Sequence, residues 1–337
     1  MGVHHRMRLG AAITVAGVLG MVGCTRGPVS DPPTATSDTA GGRIDASEPG
    51  GAVTTEPTAA SEPRQRPAVL VGAGDIASCE SSGDEATAAL LDEIDGTVAT
   101  FGDNVYDRGT ATEFARCYDP SWGRHRHRTR PAPGNHDYGT DSATAYFDYF
   151  GTAAGPRGAG YYSYDLGPHW HAIVLNSNCG AVGGCGPGSA QERWLRGDLA
   201  ANADRHVVAY WHHARFSSGP HGDSDATAAF WTALYEHGAE IVLAGHDHLY
   251  ERYAPLDPRG LLDTSHGIRQ FVVGTGGRSL YRLRQPRRAG SEAASDATYG
   301  VIVLTLRRDG YDWEYAPVAG GTFRDAGQGS VHGPPGG

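Results

Sequence analysis

The stretch IVLAGHDHLYER, residues 241–252, decides the reading of this chain. An apolar run ends at Gly245 and hands over to His246 and His248, with Tyr250, Glu251 and Arg252 close behind. The run predicts a buried strand and the glycine a sharp exit, so that two imidazoles two positions apart reach one metal centre from the strand's end. Alone, such a pair is a weak signal, because two histidines in a loop are commonly surface residues. Its weight comes from repetition: the same strand followed by a polar tip occurs several times upstream.

RPAVLVGAGD (66–75) brings Asp75 to a tip, and TVATFGD (97–103) brings Asp103, followed by Asn104, Tyr106 and Asp107. Between them, Ser82 and Glu85 read as a capping box opening the helix ATAALLDEI (86–94). PGNHD (133–137) presents Asn135, His136 and Asp137 together as an amide oxygen, a proton carrier and a carboxylate. HVVAYWHHARFSSG (206–219) is another strand ending in His212 and His213, and alternation predicts that these adjacent side chains face opposite ways.

The connecting segments read as helices and turns. SATAYFDYF (142–150), SAQERWLRGDLAA (189–201), with a second capping box at Ser189 and Glu192, and DATAAFWTALYEHG (225–238) are helical. GYYSYDLGPHWHAIVLNSN (160–178) reads as two strands turning at Gly167 and Pro168, with His169 and His171 structural. The basic run RHRHRTR (124–130) reads as a solvated helix face or loop and not as a nucleic-acid patch. Three closing strands without intervening helices, in IRQFVVGTGG, YGVIVLTLRR and YDWEYAPV, predict antiparallel or mixed sheet. Short strands alternating with helices give an α/β class, whose ligands sit beyond the carboxyl ends of the strands.

At the N-terminus, Arg6 and Arg8 precede LGAAITVAGVLGMVG (9–23), an apolar stretch of export-signal type, and Cys24 follows at once. Residues 1–23 resemble a bacterial lipoprotein signal, which implies membrane attachment through a lipidated Cys24 on the outer cell face, with secretion after ordinary cleavage as the alternative. Residues 24–66 are rich in Pro, Thr, Ser, Ala and Gly and predict a disordered tether. Residues 67–323 form the folded domain and 324–337 a loose tail. A net charge of -10 repels polyanions and disfavours nucleic-acid binding. With Cys24 lipidated, four cysteines remain. Three pairings exist, of which the cheap local loop Cys179 with Cys185 is favoured, leaving Cys79 with Cys117.

The strand tips together offer Asp75, Asp103, Tyr106, Asn135, His212, His246 and His248, more donors than one ion needs, and so two metal ions. The ordered set GD, GDNVY, GNHD, WHH and GHDH resembles the calcineurin-like metallophosphoesterases, and the tyrosine of GDNVY their purple acid phosphatase-like branch. That resemblance implies a four-layer α/β/β/α sandwich of two mixed β-sheets flanked by helices. It implies Asp75, Asp103, Tyr106 and His248 around an Fe(III), and Asp103, Asn135, His212 and His246 around Zn(II), Mn(II) or Fe(II), Asp103 bridging; a Zn or Mn pair is the alternative. Leu249 stands where asparagine is frequent in similar sequences, which bears on substrate contact there. The implied reaction is attack of a metal-bound hydroxide on a phosphorylated small molecule, most simply a phosphomonoester, with Asp103 and His136 as the catalytic residues and His136 protonating the leaving group. His213 and His221 are candidates for the substrate entrance. A phosphodiesterase or nucleotidase, and a nonenzymatic metal- or ligand-binding lipoprotein, are the competing readings.

Overall fold

A computed structural model describes residues 66–332. The expected signal at 1–23, Cys24 with its expected lipid, and all of the expected 24–66 tether except Arg66 lie outside the described residues. Two sheets stack face to face. The first has six strands, in the order β13 (Ala326–Ser330), β12 (Gly310–Pro317), β11 (Gly300–Leu306), β1 (Ala68–Ala73), β2 (Thr97–Phe101) and β3 (Thr129–Ala132). The second has seven: β10 (Ser291–Ser295), β8 (Tyr250–Tyr253), β9 (Arg269–Val273), β7 (Ile241–Gly245), β6 (His206–His213), β5 (Trp170–Val174) and β4 (Tyr162–Leu166). Both are mixed: β1, β2 and β3 run parallel, as do β5, β6, β7 and β9, with antiparallel strands on the flanks.

Alternation along the second sheet explains why its central strands are continuously apolar. Ala172, Val174, Val208, Tyr210, Leu243 and Phe271 face the first sheet, while Ile173, Val207, Ala209, Trp211, Val242 and Val272 face a separate cluster with Leu195, Leu199, Phe230 and Leu234. A strand buried on both faces cannot alternate apolar with polar. The last four residues belong to helices α3 (Ala190–Ala201) and α4 (Ala228–His237), which cover the outer face. On the other side α1 (Gly83–Glu93) packs near β11, and α2 (Thr144–Phe150) is tied to β3 by the Tyr146 hydroxyl, which donates to the Pro131 carbonyl. The result is the expected sandwich of two sheets flanked by helices. Both disulfides, Cys79–Cys117 and Cys179–Cys185, are formed, and among the described residues no helix is long and apolar enough to cross a membrane.

Several local expectations are corrected. The tail is not loose throughout, because residues 326–330 pair with β12 as a sixth strand. Its glycines permit this: a Cβ on Gly327 would lie 2.4 Å from the Trp313 ring and one on Gly329 2.3 Å from the Tyr311 ring. Ser82 makes no cap hydrogen bond; Ser81 Oγ instead accepts from Gly83 N and donates to the Gly277 carbonyl, fastening the start of α1 to a distant loop. The Ser189 cap does form, accepting from Glu192 N, but Glu192 reaches back to Gly188 N. His171 is structural, held between Asp165 and Asp198.

The run RHRHRTR is a solvated helix face only in part: Arg124, Arg126 and His127 are exposed, and the rest turns inward. It folds as a 3-10 helix over Trp122–Arg128 with His125 buried. The Arg128 guanidinium donates to the carbonyls of Leu91, Ile94 and Gly96 at 2.6, 2.9 and 2.8 Å. The end of α1 leaves carbonyls without helical partners and carries partial negative charge, and one arginine satisfies both demands. Arg128→Ala is expected to lower stability by about 2 kcal/mol. A denaturant midpoint unchanged from the parent would show that water replaces the guanidinium without loss.

Candidate metal centre

The carboxyl ends of β1, β2, β6 and β7 meet at one rim, because glycines let the two sheets touch there. A Cβ on Gly74 would lie 2.9 Å from the Phe101 carbonyl oxygen and 3.2 Å from Gly245 Cα. Each of three strands then ends in the same way, a glycine followed by a residue in the left-handed region: Asp75 at φ 61°, Asp103 at φ 50° and His246 at φ 71°. This conformation costs a non-glycine residue roughly 1–2 kcal/mol. Here it turns three side chains back over the strand ends instead of letting them continue outward. The loop after β3 adds Asn135 and His136. It can lie on Asp103 because residue 134 is glycine, whose Cβ would stand 2.1 Å from Asp103 N and Oδ1.

All seven predicted donor residues come together. Tyr106 Oη lies 2.8 Å from Asp75 Oδ1, 2.9 Å from Asp103 Oδ2 and 3.2 Å from His248 Nε2. His248 Nε2 is 3.2 Å from Asp75 Oδ1. On the other side, His212 Nε2 is 3.2 Å from Asp103 Oδ2, 3.1 Å from Asn135 Oδ1 and 3.2 Å from His246 Nδ1. One oxygen, Asp103 Oδ2, therefore borders both groups. Asp103 Oδ1 accepts from His136 N at 2.7 Å, and Asp75 Oδ2 from His246 N at 2.8 Å, so the carboxylates are aimed by the loops they serve.

The imidazoles are oriented from behind. His212 Nδ1 donates to the Phe101 carbonyl at 2.9 Å and His248 Nδ1 lies 2.8 Å from Ser279 Oγ, turning each Nε2 inward. Tyr281 stacks on His248 at 3.9 Å, with planes 9° apart. Ser279 and Tyr281 carry no motif, and only their place in the fold reveals them.

Buried charge dominates the electrostatics. Asp75 and Asp103 are almost inaccessible, and among the described residues their ion-pair partners are imidazoles alone. Burial favours a neutral Asp103, but the charge and hydrogen bond of His212 outweigh it and hold the carboxyl far below its ordinary range. His212 answers in kind: burial opposes its charge, and Asp103 with Asp75 nevertheless pushes it up to about 9. Burial, then the charge on Asp103 and Asp75, pushes the Tyr106 phenol well above its ordinary range. Such a site holds its negative charge only with a proton on an imidazole or with a cation in its place. Hard oxygens beside imidazoles suit divalent and trivalent first-row ions. Donor atoms of Asp75, Asp103 and His212, and of His212, His213 and His246, lie within 4.8 Å of one another in each trio, giving two candidate metal positions.

Other expectations change. His213 does not face away from His212; the two rings are 4.9 Å apart and His213 lies 4.4 Å from His246. The cause is a bulge: from Tyr210 to His213, β6 advances three residues while β7 advances two, from Leu243 to Gly245. Asp137 is not presented to the site but buried beneath it, accepting from Asn104 N, Asn104 Nδ2 and Gly134 N. Burial and the Asp103 charge push its carboxyl up. Leu249 is fully buried against the outer-face core. The His221 ring lies 4.0 Å from that of His246, tilted by 33°, with its Nδ1 2.9 Å from Asp247 Oδ1, at the open side of the cluster.

The sequence matches the calcineurin-like phosphoesterase family over residues 65–250. It is 28% identical over 204 residues to an uncharacterised protein of Mycobacterium tuberculosis, covering 52% of this chain and 38% of that one. It is 27% identical over 260 residues to purple acid phosphatase 15 of Arabidopsis thaliana, covering 64% of this chain and 46% of that one. The chain thus spans less than half the length of these curated relatives. The structure of a purple acid phosphatase from yellow lupin (Lupinus luteus) seeds superposes with a TM-score of 0.62 at 18% identity, over 79% of this chain and 54% of that chain. The family match, the two-sheet sandwich and the two clustered candidate metal positions agree, and this chain belongs to the calcineurin-like phosphoesterases.

Proposed function

We propose that this chain hydrolyses phosphomonoesters of small molecules with a pair of metal ions. Asp75, Asp103, Tyr106 and His248 would hold one ion and Asp103, Asn135, His212 and His246 the other. The observation that carries this reading is the position of Asp103 Oδ2, 2.9 Å from Tyr106 Oη and 3.2 Å from His212 Nε2, at the border of both donor groups. When bound, such a pair neutralises phosphoryl oxygens and lowers the pKa of water.

The protein's own part is positioning and proton handling. His136 Nδ1 lies 2.6 Å from the Asp107 carbonyl, which only accepts, so that nitrogen carries a hydrogen. Nε2 is the atom left to hold the mobile proton, and it sits 4.0 Å from Asp103 Oδ2 on a half-exposed ring whose centre is 4.3 Å from that of Tyr106. A proton there meets the departing oxygen of a substrate entering from solvent, which supports His136 as the acid. The acidic composition argues against long polyanionic substrates. Export is supported by the two disulfides, which persist in oxidising compartments. Attachment through Cys24 is proposed from the sequence signal alone.

Asp103→Ala is expected to abolish hydrolysis of p-nitrophenyl phosphate and to reduce bound metal while leaving circular dichroism unchanged; full activity with two ions would overturn the shared-ligand role. A chelated wild-type enzyme should lose activity and regain it with added ions, and faster turnover of a diester would move the reading to a phosphodiesterase. Tyr106→Phe should remove a visible charge-transfer band if the neighbouring ion is ferric. In the metal-free protein His212 carries a proton below about pH 9. Because binding must displace that proton, metal affinity should rise about tenfold per pH unit up to that point and then level. Titration calorimetry at pH 6, 7 and 8 measures the slope, and a flat profile would contradict it.

A further inference from the structure

The assignment of seven donors to two ions leaves His213 without a part, although it stands beside His212 and His246 in one of the two candidate metal positions. Its backbone N–H donates to Ser177 Oγ at 3.0 Å, and its Nδ1 lies 2.8 Å from the same oxygen. Ser177 follows β5, is buried, and has no other side-chain hydrogen bond among the described residues. A buried hydroxyl left without an acceptor costs about 1–3 kcal/mol. Nδ1 is the acceptor within reach, so the Ser177 O–H donates to Nδ1 while Oγ takes the amide. The ring hydrogen then belongs to Nε2, which has no partner among the described residues, on a half-buried ring beside His246 and His212.

A nitrogen that carries a hydrogen is a donor and not a metal ligand. We infer that His213 is a catalytic residue of a second kind, a fixed N–H donor whose Nε2–H bonds a non-bridging phosphoryl oxygen on the His212–His246 side of the centre. Charge builds on those oxygens in the transition state, and a donor already aimed there needs no reorganisation. The bulge in β6 that turns His213 inward supplies its location, and Ser177 supplies its tautomer. This inference rests on the two-metal reading given above.

The test uses the full metal-loaded chain with His213→Phe, His213→Gln and Ser177→Ala, reading bound metal per chain, kcat on p-nitrophenyl phosphate and inhibition by inorganic phosphate. His213→Phe should retain both ions, lose on the order of 100-fold in kcat and bind phosphate more weakly. His213→Gln, which keeps an N–H, should recover part of the loss, and Ser177→Ala should lose several-fold with both ions in place. Loss of one ion in His213→Phe, or in His213→Gln should the first variant not fold, would make this residue a ligand and overturn the inference. So would unchanged kcat and phosphate inhibition. A wild-type chain that binds no metal, or an active Asp103→Ala, would instead bring down the two-metal reading and this inference with it.

Discussion

Two carboxylates are sealed at the junction of two sheets, and their negative charge is the constraint from which the rest of this molecule follows. A buried carboxylate without compensation is untenable, and here the compensation within the protein comes from imidazoles and amide N–H groups. The compensating groups come from the end of β6 and the loops after β3 and β7, and Ser279 stands behind His248, so the charge gathers these strand ends and the segment at 278–281 around one point. The same feature that makes the site receptive to cations therefore binds its loops together. Charge, loop geometry and metal affinity are one problem solved once.

The donor-bearing strand tips were legible because the chain repeats a short device, and their motifs in order gave the resemblance that implied the sandwich. A β-branched run fixes a strand, glycine ends it, and a donor follows. The three left-handed residues were not legible as such, since Asp and His in that conformation follow from close packing of the sheets and from no local preference. The inward turn of His213 was misread because period-two alternation holds only along a regular strand, and the bulge in β6 depends on a register with β7 that a single strand does not encode. β8 and β10 were missed for a related reason: YERY and SEAAS are short and partly polar, and they become strands only by pairing with each other and with β9.

The family match stops at residue 250, yet the cluster does not. Ser279 and Tyr281, which orient and cover His248, lie beyond it, as does Arg278, whose guanidinium sits over the Tyr106 ring and pairs with Asp107. The inner donors thus lie within the family-matched region, while part of the surround lies beyond it. Differences in metal preference or substrate among relatives are expected to arise in such a surround, where donors can be tilted without being replaced.

The final strand carries a consequence for solubility. β13 offers mostly glycine and small polar residues, yet it occupies the hydrogen-bonding edge of β12 and lies under the rings of Tyr311 and Trp313. Without it, β12 would become the sheet's border, with free main-chain groups beside two large aromatic faces. Such a border is a template for pairing with another molecule. This inconspicuous strand therefore acts as a guard against self-association, and proteolytic trimming before residue 326 would be felt first as aggregation, with the distant metal cluster still intact.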